Sequence, residues 1–370
     1  MKIIIFSNIP SPYFVEYLNE LGKYADVLAI FERRQASDRD SSWKNVDARS
    51  FDYSYLRGIN IGAEASLSLE IKKLIKSNRD RVIIFANPTT PTGIIGISFC
   101  KRKKIKYCLQ SEGGLAKNGK GIKEWFKRKV LAGAEIYLSG MKPENDYFIA
   151  YGAPKERVFQ YNFASFHSSD LPKKRLCKDE KNDLKRKIGI PYERVVLYVG
   201  RMLHVKGVDV LLNAFVNFPD DVGLYLVGGE ETDEYREIIE RKGIRNYRFI
   251  HHLPANLLAD FYKAADIFVL PTRSDTWGLV INEAMAYSLP IITTNKCVAG
   301  LELINDSENG FLVDSEDCAA IRDRIWRLLN NPSFCSEIGE KNFKRIENYT
   351  YENMAKQIFG HLMHLLGNEN

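Results

Sequence analysis

Two cations and two carboxylates in the second half of the chain are the residues best suited to chemistry. Arg201 and Lys206 follow the apolar run Val195–Val199, and a guanidinium and an ammonium there would bind a diphosphate through charge-assisted hydrogen bonds. Asp275 and Glu283 stand on either side of a glycine-containing turn. Taken singly, each residue has an ordinary alternative role, as a solvated loop cation, a helix-capping aspartate or a solvated helix glutamate. Only the combination favours a site for an anionic ligand.

Two predicted loops supply further groups. A strand that ends at Pro271 is followed by a turn and by a helix that begins near Leu279, and the unpaired N–H groups of a helix start suit a phosphate. In the first half, Glu112 follows a predicted strand in the sequence Gln-Ser-Glu-Gly-Gly. Its carboxylate would orient an acceptor molecule or receive its proton; alternatively, Glu112 is a loop carboxylate beside a basic helix.

Strands and helices in alternation are needed to position these side chains. The first half alternates apolar β-rich runs with helical patterns, which predicts a mostly parallel sheet covered on both faces. Its predicted strands are Lys2–Phe6, Val27–Phe31, Val82–Phe85, Tyr107–Gln110 and Ile136–Ser139. Its predicted helices are Tyr13–Lys23, Leu67–Ser77, Gly93–Cys100, Lys123–Leu131 and Lys142–Tyr151.

The same alternation restarts after a polar, irregular segment at Asn162–Asn182, which is the predicted linker. The predicted strands are Val195–Val199, Leu224–Val227, Arg248–Ile250, Ile267–Leu270 and Ile291–Thr293. The predicted helices are Val208–Val216, Glu234–Lys242, Leu257–Ala265, Val280–Tyr287, Cys318–Leu329 and Tyr351–Leu366. Two doubly wound domains that face each other would bring the carboxyl ends of both sheets to one central cleft, where α/β sheets bind ligands.

Length and composition agree with two globular domains. The chain has 370 residues, 45% of them hydrophobic and 27% charged, which argues against disordered, collagen-like and low-complexity classes. Six cysteines without paired spacing indicate free thiols in a reducing cytosol. The apolar run at the start is too short for a signal peptide. The uncharged stretch Val82–Cys100 is interrupted by Pro88 and Pro91, so it predicts a strand, a turn and a short helix rather than a membrane span.

Positive charge is concentrated in the first half. Residues 1–165 hold 27 Lys and Arg against 17 Asp and Glu, a net of +10, and the remainder of the chain has a net of −4. Eleven of these cations lie in Lys101–Lys129, where Ile122–Leu131 reads as an amphipathic helix. Its apolar face packs on its own domain, or it contacts an anionic membrane surface. Binding of nucleic acid is the weakest of the three interpretations of this segment, because no motif for binding nucleic acid accompanies the charge.

Five short motifs of the second half occur in a characteristic order and spacing. They are Gly-Arg-x4-Lys-Gly at 200–207, Val-Gly-Gly-Glu at 227–230, Tyr-x2-Ala-Asp-x4-Pro at 262–271, Asp-x7-Glu-Ala-Met-Ala at 275–286 and Asn-Gly-Phe-Leu at 309–312. Together they resemble the donor-binding domain of GT-B glycosyltransferases of the family 4 type. The resemblance covers about residues 195–330. The first half is similar in general layout and in its Pro-Ser-Pro-Tyr start at 10–13, which is seen in some bacterial surface-polysaccharide members.

The resemblance implies an α/β fold of two Rossmann-like, doubly wound domains around a central cleft. Residues 1–165 would form the acceptor-binding domain, 166–182 the linker and 183–346 the nucleotide-sugar domain. Residues 347–370 would form a C-terminal helix that returns to the first domain. In Tyr351–Leu366 a stripe of apolar residues, Met354, Ile358, Leu362, Leu365 and Leu366, would be buried by that return.

The resemblance also implies a role for each candidate residue. Arg201 and Lys206 match the pair that binds the donor diphosphate, Glu283 matches the residue that holds the ribose hydroxyls, and Asp275 matches the residue against the donor sugar. Four further positions match the donor site: Leu253, Gly278, Leu279 and Val280. Asp275 replaces a glutamate of the family, so the donor sugar is expected to sit differently or to differ in identity. The family's frequent Gly-Gly loop of the first domain is absent, and Ser7–Tyr13 stands in its place.

The function implied by the resemblance is retaining transfer of a hexose from a UDP- or GDP-linked donor. The acceptor would be a glycan or lipid-linked saccharide of surface polysaccharide biosynthesis, and no metal or cofactor is expected. Asp275, Arg201, Lys206 and Glu112 are the predicted catalytic residues. The enzyme would be cytoplasmic and would associate with the inner face of the membrane if the basic helix binds lipid. Two alternatives stay open: a nucleotide-sugar epimerase of the same fold, and a catalytically silent scaffold that binds a membrane or a partner.

Overall fold

The computed structural model describes residues 1–35, 46–62, 65–111 and 121–367, with side chains described as far as residue 364. Two compact units divide the chain. The first comprises Met1–Ser168 with Tyr349–Asn370, and the second comprises Ser169–Asn348. Each unit has an α/β architecture built on a parallel sheet, as predicted.

The first unit contains one seven-stranded sheet and a separate hairpin. Its strands are β1 (Lys2–Ser7), β2 (Asp26–Phe31), β3 (Asp52–Tyr55), β4 (Ile59–Ile61), β5 (Ala65–Leu67), β6 (Val82–Phe85), β7 (Cys108–Ser111), β8 (Ile136–Ser139) and β9 (Val158–Gln160). Its helices before the second unit are α1 (Pro12–Leu21), α2 (Ile71–Ser77), α3 (Pro91–Lys103), α4 (Ile122–Leu131) and α5 (Lys142–Ala150). The sheet order is β3-β2-β1-β6-β7-β8-β9, and β4 pairs with β5 in antiparallel orientation.

Strand β1 lies in the middle of this sheet because its residues are apolar on both faces. Ile3, Ile4 and Ile5 are fully buried, and β1 pairs in parallel with β2 on one side and with β6 on the other. A near-continuous apolar run is typical of a parallel strand that helices cover on both faces. The uncharged stretch at 82–100 divides into β6 and most of α3, which the Thr90 hydroxyl caps by accepting from the Gly93 amide at 3.0 Å. No helix in the described ranges combines the length and hydropathy that a bilayer crossing requires.

The first unit departs from the predicted elements at its less apolar segments. The helix predicted from Leu67 begins at Ile71, because residues 65–67 form the second strand of the hairpin. Strands β3, β4 and β9 were not predicted. The side chains of β3 and β4 are largely exposed and those of β9 are only partly buried, so their sequences show no buried-strand pattern.

The second unit is a six-stranded parallel sheet flanked by helices. Its strands are β10 (Arg194–Val199), β11 (Val222–Val227), β12 (Tyr247–Ile250), β13 (Ile267–Leu270), β14 (Ile291–Thr294) and β15 (Gly310–Val313). Its helices are α6 (Lys178–Lys187), α7 (Val208–Ala214), α8 (Asp233–Lys242), α9 (Ala255–Ala264), α10 (Leu279–Ala286), α11 (Val298–Leu303), α12 (Cys318–Leu329) and α13 (Pro332–Ile346). The strand order is β12-β11-β10-β13-β14-β15, so the strands after β10 are added first on one side of it, to β12, and then on the other side, from β13 to β15. Ligands of doubly wound sheets bind at such a switch point, which here lies between β10 and β13.

Three helices and one strand of the second unit, α6, α11, α13 and β15, were not predicted. Helix α6 begins inside the segment that was expected to be irregular up to Asn182, because Glu180 accepts from the Cys177 amide at 2.9 Å and Lys181 and Lys185 both bind Asp266. Helix α13 begins with Pro332 after Asn331, whose side chain accepts from the Phe334 amide at 3.2 Å. An Asn-Pro sequence is a recognisable start of a helix, so α13 was predictable from the sequence.

The last helix, α14 (Tyr351–Gly367), belongs to the first unit. Met354, Ile358 and Leu362 are buried as the apolar stripe predicts, whereas the side chains of Leu365 and Leu366 lie outside the described part. Helix α14 packs on α1, and the Phe359 ring stacks on Tyr24 with the ring centres 5.5 Å apart. The Asn162 amide donates to the Gln357 side chain at 2.8 Å. The chain end is therefore a structural part of the first unit.

Candidate functional site

The loop after β10 is fixed against the end of β13 by close backbone contact. Gly207 has φ +71°, and a Cβ atom at this position would lie 2.1 Å from the carbonyl oxygen of Pro271. Thr272 supports the same contact, because its hydroxyl donates to the carbonyl oxygen of Val205 at 2.9 Å. These contacts place the segment 201–207 and the segment 271–275 side by side at the switch point of the sheet.

Lys206 and Asp275 form an ion pair at this switch point. The Lys206 ammonium donates to Oδ2 of Asp275, and the two side chains are only 17% and 11% exposed. The Asp275 backbone is held on both sides, since its amide donates to the carbonyl oxygen of Lys296 at 3.0 Å and its carbonyl accepts from Val298 at 3.3 Å. One predicted cation and one predicted carboxylate are thus brought together, 69 residues apart in the sequence.

Helix α10 starts beside this ion pair without a side-chain cap from the described residues. Gly278 precedes the helix with φ +94°, and a Cβ atom there would lie 2.8 Å from Sγ of Cys297. The amides of Leu279 and Val280 occupy the first turn, where N–H groups lack intrahelical partners. Asp275 bonds Lys206 and not the helix amides, so the capping alternative for Asp275 is wrong.

Glu283, one turn into α10, has a buried partner. The Tyr262 hydroxyl donates to Oε2 of Glu283 at 2.8 Å, and the Tyr262 ring stacks on Tyr287 with centres 5.4 Å apart and planes 4° from parallel. Burial raises the pKa of the Glu283 carboxyl to about 7, although the Tyr262 hydrogen bond lowers it. Glu283 is therefore not a simple solvated helix residue, and its carboxyl changes charge near neutral pH.

Arg273 is a component of the site that the sequence analysis missed. Its guanidinium makes two hydrogen bonds to Asp209, at 2.8 and 2.7 Å, and it also donates to the carbonyl oxygen of His204 at 2.6 Å and binds Glu316. Burial alone would raise the pKa of Asp209, but the Arg273 bonds hold it below its ordinary value. The hydrogen bonds of the Arg273 guanidinium fix the turn that carries Lys206. No local sequence pattern predicts the Arg273–Asp209 pair, because the two residues are 64 positions apart.

The remaining predicted donor residues lie at the same edge of the second sheet. Arg201 follows β10 and is exposed, and its carbonyl oxygen accepts from the Tyr198 hydroxyl at 3.0 Å. Leu253 is partly buried between the end of β12 and the start of α9. Arg201, Lys206, Asp275, Leu253 and the start of α10 thus all follow the carboxyl ends of strands in one sheet.

Glu112 lies outside the described residues. The strand before it, β7, ends at Ser111, and the buried Gln110 of this strand donates to the Tyr161 hydroxyl at 3.2 Å. The second candidate region of the first unit, α4, is only partly buried. Val130 and Leu131 are enclosed, whereas Ile122, Trp125 and Phe126 are 86%, 57% and 48% exposed. Within the described residues, the apolar side chains at the start of α4 are therefore largely exposed, whereas those at its end are buried.

One group of residues in the described ranges has the geometry of a metal site, and it lies in the first unit. It consists of Glu20, His167 and Glu352. Each of these three side chains has a partner among the protein's own groups: His167 contacts Glu352 at 3.3 Å, Glu20 binds Lys23, and Glu352 accepts from Ser168. Glu16 contacts the other ring nitrogen of His167 at 3.0 Å. This cluster joins α1 to α14 within the first unit.

Comparison with known proteins shows a family match over most of the second unit. Residues 180–345 match the family model described as Glycosyl transferases group 1. The capsular polysaccharide biosynthesis glycosyltransferase CapM of Staphylococcus aureus is 25% identical over 324 residues, which are 82% of this chain and 83% of CapM. A D-inositol 3-phosphate glycosyltransferase of Xylanimonas cellulosilytica is 28% identical over 212 residues. That match spans 55% of this chain and about half, 50%, of the relative.

Solved structures show the same fold over nearly the whole chain. HepE of Anabaena, crystallised in complex with UDP, superimposes with a TM-score of 0.77 at 18% identity, covering 98% of this chain and 100% of HepE. A glycosyltransferase from Rickettsia africae gives a TM-score of 0.77 at 15% identity, with 99% of each chain covered. At these identities the likeness concerns the fold, which is the GT-B fold expected from the sequence motifs.

Proposed function

We propose that this chain, whose residues 180–345 match the model of glycosyl transferases group 1 and whose fold is similar to that of solved GT-B glycosyltransferases, transfers a hexose from a nucleoside diphosphate sugar. The acceptor is a glycan or lipid-linked saccharide of surface polysaccharide biosynthesis, and the anomeric configuration is retained. The observation that carries this proposal is the Lys206–Asp275 pair beside the uncapped start of α10. A cation, a carboxylate and free amides are there combined at the switch point of a doubly wound sheet.

The positive groups of this site act on the leaving diphosphate. When the bond between the anomeric carbon and the phosphate oxygen breaks, its electron pair stays with the diphosphate and the sugar becomes oxocarbenium-like. Lys206, Arg201 and the amides of Leu279 and Val280 offset the charge that develops on the diphosphate. The acceptor hydroxyl bonds to the anomeric carbon on the face that the diphosphate leaves, and its proton passes to the leaving phosphate. We expect no metal requirement, because the chain's own groups supply the positive charge.

The two carboxylates hold different parts of the donor. Asp275 is already bound to Lys206 and so positions this ammonium. In this proposal its carboxylate lies against the reacting sugar. Glu283 accepts from the Tyr262 hydroxyl through Oε2, and its other oxygen can accept from ribose hydroxyls. In the first unit, Glu112 is the proposed residue that orients the acceptor.

Nucleotide binding and turnover test this function. UDP is the first nucleotide to try, since HepE was crystallised with UDP and with UDP-glucose, and GDP, ADP and dTDP complete the panel. We expect one nucleotide to raise the melting temperature clearly, since a ligand at 100 times its Kd adds about 2.7 kcal/mol of stability. Slow hydrolysis of the matching nucleotide sugar should follow.

A variant pair makes the turnover test specific. Lys206→Ala should lower the turnover of the nucleotide sugar by about 10²–10³, the usual cost of removing one group that stabilises transition-state charge. Lys178→Ala is the matched control, because Lys178 is 79% exposed on α6 and forms only a 3.5 Å pair with Glu193. Absence of a melting shift with every nucleotide would favour the silent scaffold. Conversion of the donor to its epimer without transfer would favour the epimerase.

A second proposed role is membrane contact through α4. The exposed Ile122, Trp125 and Phe126 share this helix with four cations, and the Lys129 ammonium lies 4.2 Å from the centre of the Trp125 ring. An apolar face with a basic surround suits the interface of an anionic bilayer. We expect co-sedimentation with phosphatidylglycerol vesicles and little with phosphatidylcholine vesicles.

The matched variants for this role remove exposed apolar residues in two places. Trp125→Ser with Phe126→Ser should abolish sedimentation with phosphatidylglycerol vesicles. Leu69→Ser, which changes a 66% exposed residue just before α2, should leave it unchanged. Equal sedimentation of all three proteins would contradict membrane contact by α4.

A further inference from the structure

A cavity of about 260 Å³ lies in the second unit, away from the loops that carry Lys206 and Asp275. We call it the strap cavity, because the segment 172–176, which has no regular secondary structure, forms one of its sides. The end of α9, the turn 287–289 after α10, and α13 form the others. None of its lining residues is one of the predicted donor residues.

The turn that forms one wall of the strap cavity is rigidly held. Ser288 has φ +58°, and α13 approaches it so closely that a Cβ atom on Gly339 would lie 2.3 Å from the Ser288 carbonyl oxygen. The Asn342 side chain donates to the carbonyl oxygen of Leu289 at 2.8 Å and is itself bonded to Asn309 at 2.9 Å. This wall of the cavity is therefore a fixed feature of the fold.

The lining of the strap cavity is apolar at its base and basic at its rim. Ala265, Ala286 and Leu289 are buried, and Phe343 is partly buried beside them. Five cations and a single carboxylate, that of Glu340, also line the cavity; the cations are Lys173, Lys174, Arg175, Lys181 and Lys263.

Two of the five cations form no close ion pair with a carboxylate in the part of the chain that the structure describes, and Glu340 is the one acidic residue that lines the cavity beside them. Lys174 pairs with Glu180 at 2.6 Å, Lys181 with Asp266 at 2.6 Å and Lys263 with Asp260 at 3.1 Å. Arg175, by contrast, donates only to the neutral Ser336 hydroxyl at 2.8 Å, and no ion pair is recorded for Lys173. The positive charges of Lys173 and Arg175 beside an apolar base favour a ligand that is an anion with an apolar portion.

We propose that the strap cavity binds an amphipathic anion, with a phosphate or carboxylate head held by Lys173 and Arg175 and an apolar chain or ring on Ala265, Leu289 and Phe343. Such a ligand would have a regulatory effect, because Tyr287 lines the cavity and stacks on Tyr262, whose hydroxyl bonds Glu283. A ligand that moves the Tyr287 ring would change the environment of the Glu283 carboxyl. This regulatory step rests on the proposed role of Glu283 in donor binding, whereas the binding step does not.

Dodecyl phosphate below its micellar concentration is the probe for the binding step, with inorganic phosphate and dodecyl maltoside as the head-only and tail-only arms. Calorimetry on the full chain should show one molecule of dodecyl phosphate bound, at least about tenfold more tightly than either comparison compound. Amide hydrogen exchange should show protection at 172–176 and 287–289. Protection confined to α4, or equal binding of all three compounds, would overturn the proposal.

Variants of equal charge locate the head group. Lys173→Ala with Arg175→Ala should weaken dodecyl phosphate binding about tenfold or more. The control, Lys178→Ala with Arg186→Ala, removes the same two charges from exposed positions on α6 outside the cavity and should leave the affinity unchanged. Equal loss in both double variants would mean non-specific attraction and would overturn the proposal. Circular dichroism and an unchanged UDP-induced melting shift establish that the variants fold.

The regulatory step has its own readout. The Kd for UDP should change about threefold or more when dodecyl phosphate is saturating, and the Kd for dodecyl phosphate should change by the same factor when UDP is saturating. Tyr287→Leu should abolish this coupling, which is measured as the ratio of the UDP Kd values with and without saturating dodecyl phosphate. An unchanged UDP affinity in the presence of bound dodecyl phosphate would overturn the regulatory step alone, and a failure of UDP to bind at all would instead count against the proposed function.

Discussion

At the residue scale, the Lys206–Asp275 ion pair makes each partner's role depend on the other. Both side chains are mostly buried, and the removal of one member of such a pair leaves the other charge without compensation. Neither side chain can therefore be altered without changing the electrostatics of its partner. The consequence for ligand binding can be measured.

Asp275→Ala should lower turnover by about 10² or more while the affinity for free UDP stays the same or increases. Its carboxylate lies where the reacting sugar is proposed to sit, and its loss releases the Lys206 ammonium to bind phosphate. Lys206→Ala should lower both quantities. Steady-state kinetics and calorimetry with UDP separate the two cases. A parallel loss of UDP affinity in both variants would show that Asp275 is needed only to hold Lys206.

Glu283 gives the stability of the second unit a pH dependence of unusual sign. Its carboxyl pKa is raised to about 7 in the folded chain, so between about pH 4.5 and 7 the folded state holds the proton that the unfolded state has lost. The stability that this group contributes is present at low pH and is lost as the pH rises through 7. Glu283→Gln keeps a neutral group at every pH and should remove this decline.

The prediction is that Glu283→Gln loses about 2 kcal/mol less stability than the wild type between pH 5 and pH 8. Thermal unfolding at four pH values measures it. Glu237→Gln is the control, since Glu237 is an exposed glutamate on α8 and should follow the wild-type profile. Identical profiles for all three proteins would mean that the Glu283 carboxyl has an ordinary pKa.

At the element scale, the loop after β10 is positioned by close backbone contact in addition to the side chains of Thr272 and Arg273. Gly207 and Gly243 both have left-handed φ angles, of +71° and +65°. They differ in their surroundings: a Cβ atom on Gly207 would meet the Pro271 carbonyl oxygen at 2.1 Å, and nothing lies within 4 Å of the corresponding atom on Gly243. The two glycines therefore separate the cost of the backbone angle from the cost of the contact.

Gly243→Ala should cost about 1 kcal/mol, the usual penalty for a left-handed alanine. Gly207→Ala should cost at least about 2 kcal/mol more, because the loop must move away from β13, and it should also raise the KM for the donor. Urea unfolding and donor kinetics on both variants make the comparison. Similar free energies of unfolding for the two would contradict the tight contact between the loop and β13.

At the scale of the whole molecule, the first unit is discontinuous in sequence. Helix α14 buries Met354, Ile358 and Leu362 on residues that precede it by more than a hundred positions, and hydrogen bonds from Asn162 and Tyr351 fix its register. His167 adds contacts to Glu16 and Glu352, which join α1 to α14. The fold of the first unit thus requires the last segment of the chain.

Truncation after Asn348 should therefore destabilise the first unit although every strand of its sheet remains. The expected result is rapid proteolysis within residues 1–168, with slower cleavage of the second unit. Ile358→Asp should produce a similar effect in the full chain, and Met363→Asp, at a 43% exposed position of the same helix, should not. A truncated chain with a protease-resistant first unit would disprove the dependence on α14.

The sequence by itself determined the parts of this protein that depend on local pattern. Apolar runs such as Ile3–Ile5 and Val195–Val199 predicted the central strands, and the motif spacing from Gly200 to Leu312 predicted the GT-B fold and the candidate donor residues. The sequence predicted less where burial was shallow, as in β3 and β9, or where distant charges stabilised a helix, as Asp266 does for α6.

Only the tertiary structure decided which side chains act together. The pairs Lys206–Asp275, Arg273–Asp209 and Tyr262–Glu283 join residues 21 to 69 positions apart. The strap cavity likewise depends on tertiary structure, because four separate segments of the second unit form it. Hydrogen bonds and ion pairs act over about 3 Å, and the sequence fixes only which residues exist, whereas the packing of the elements fixes which of them come within that distance.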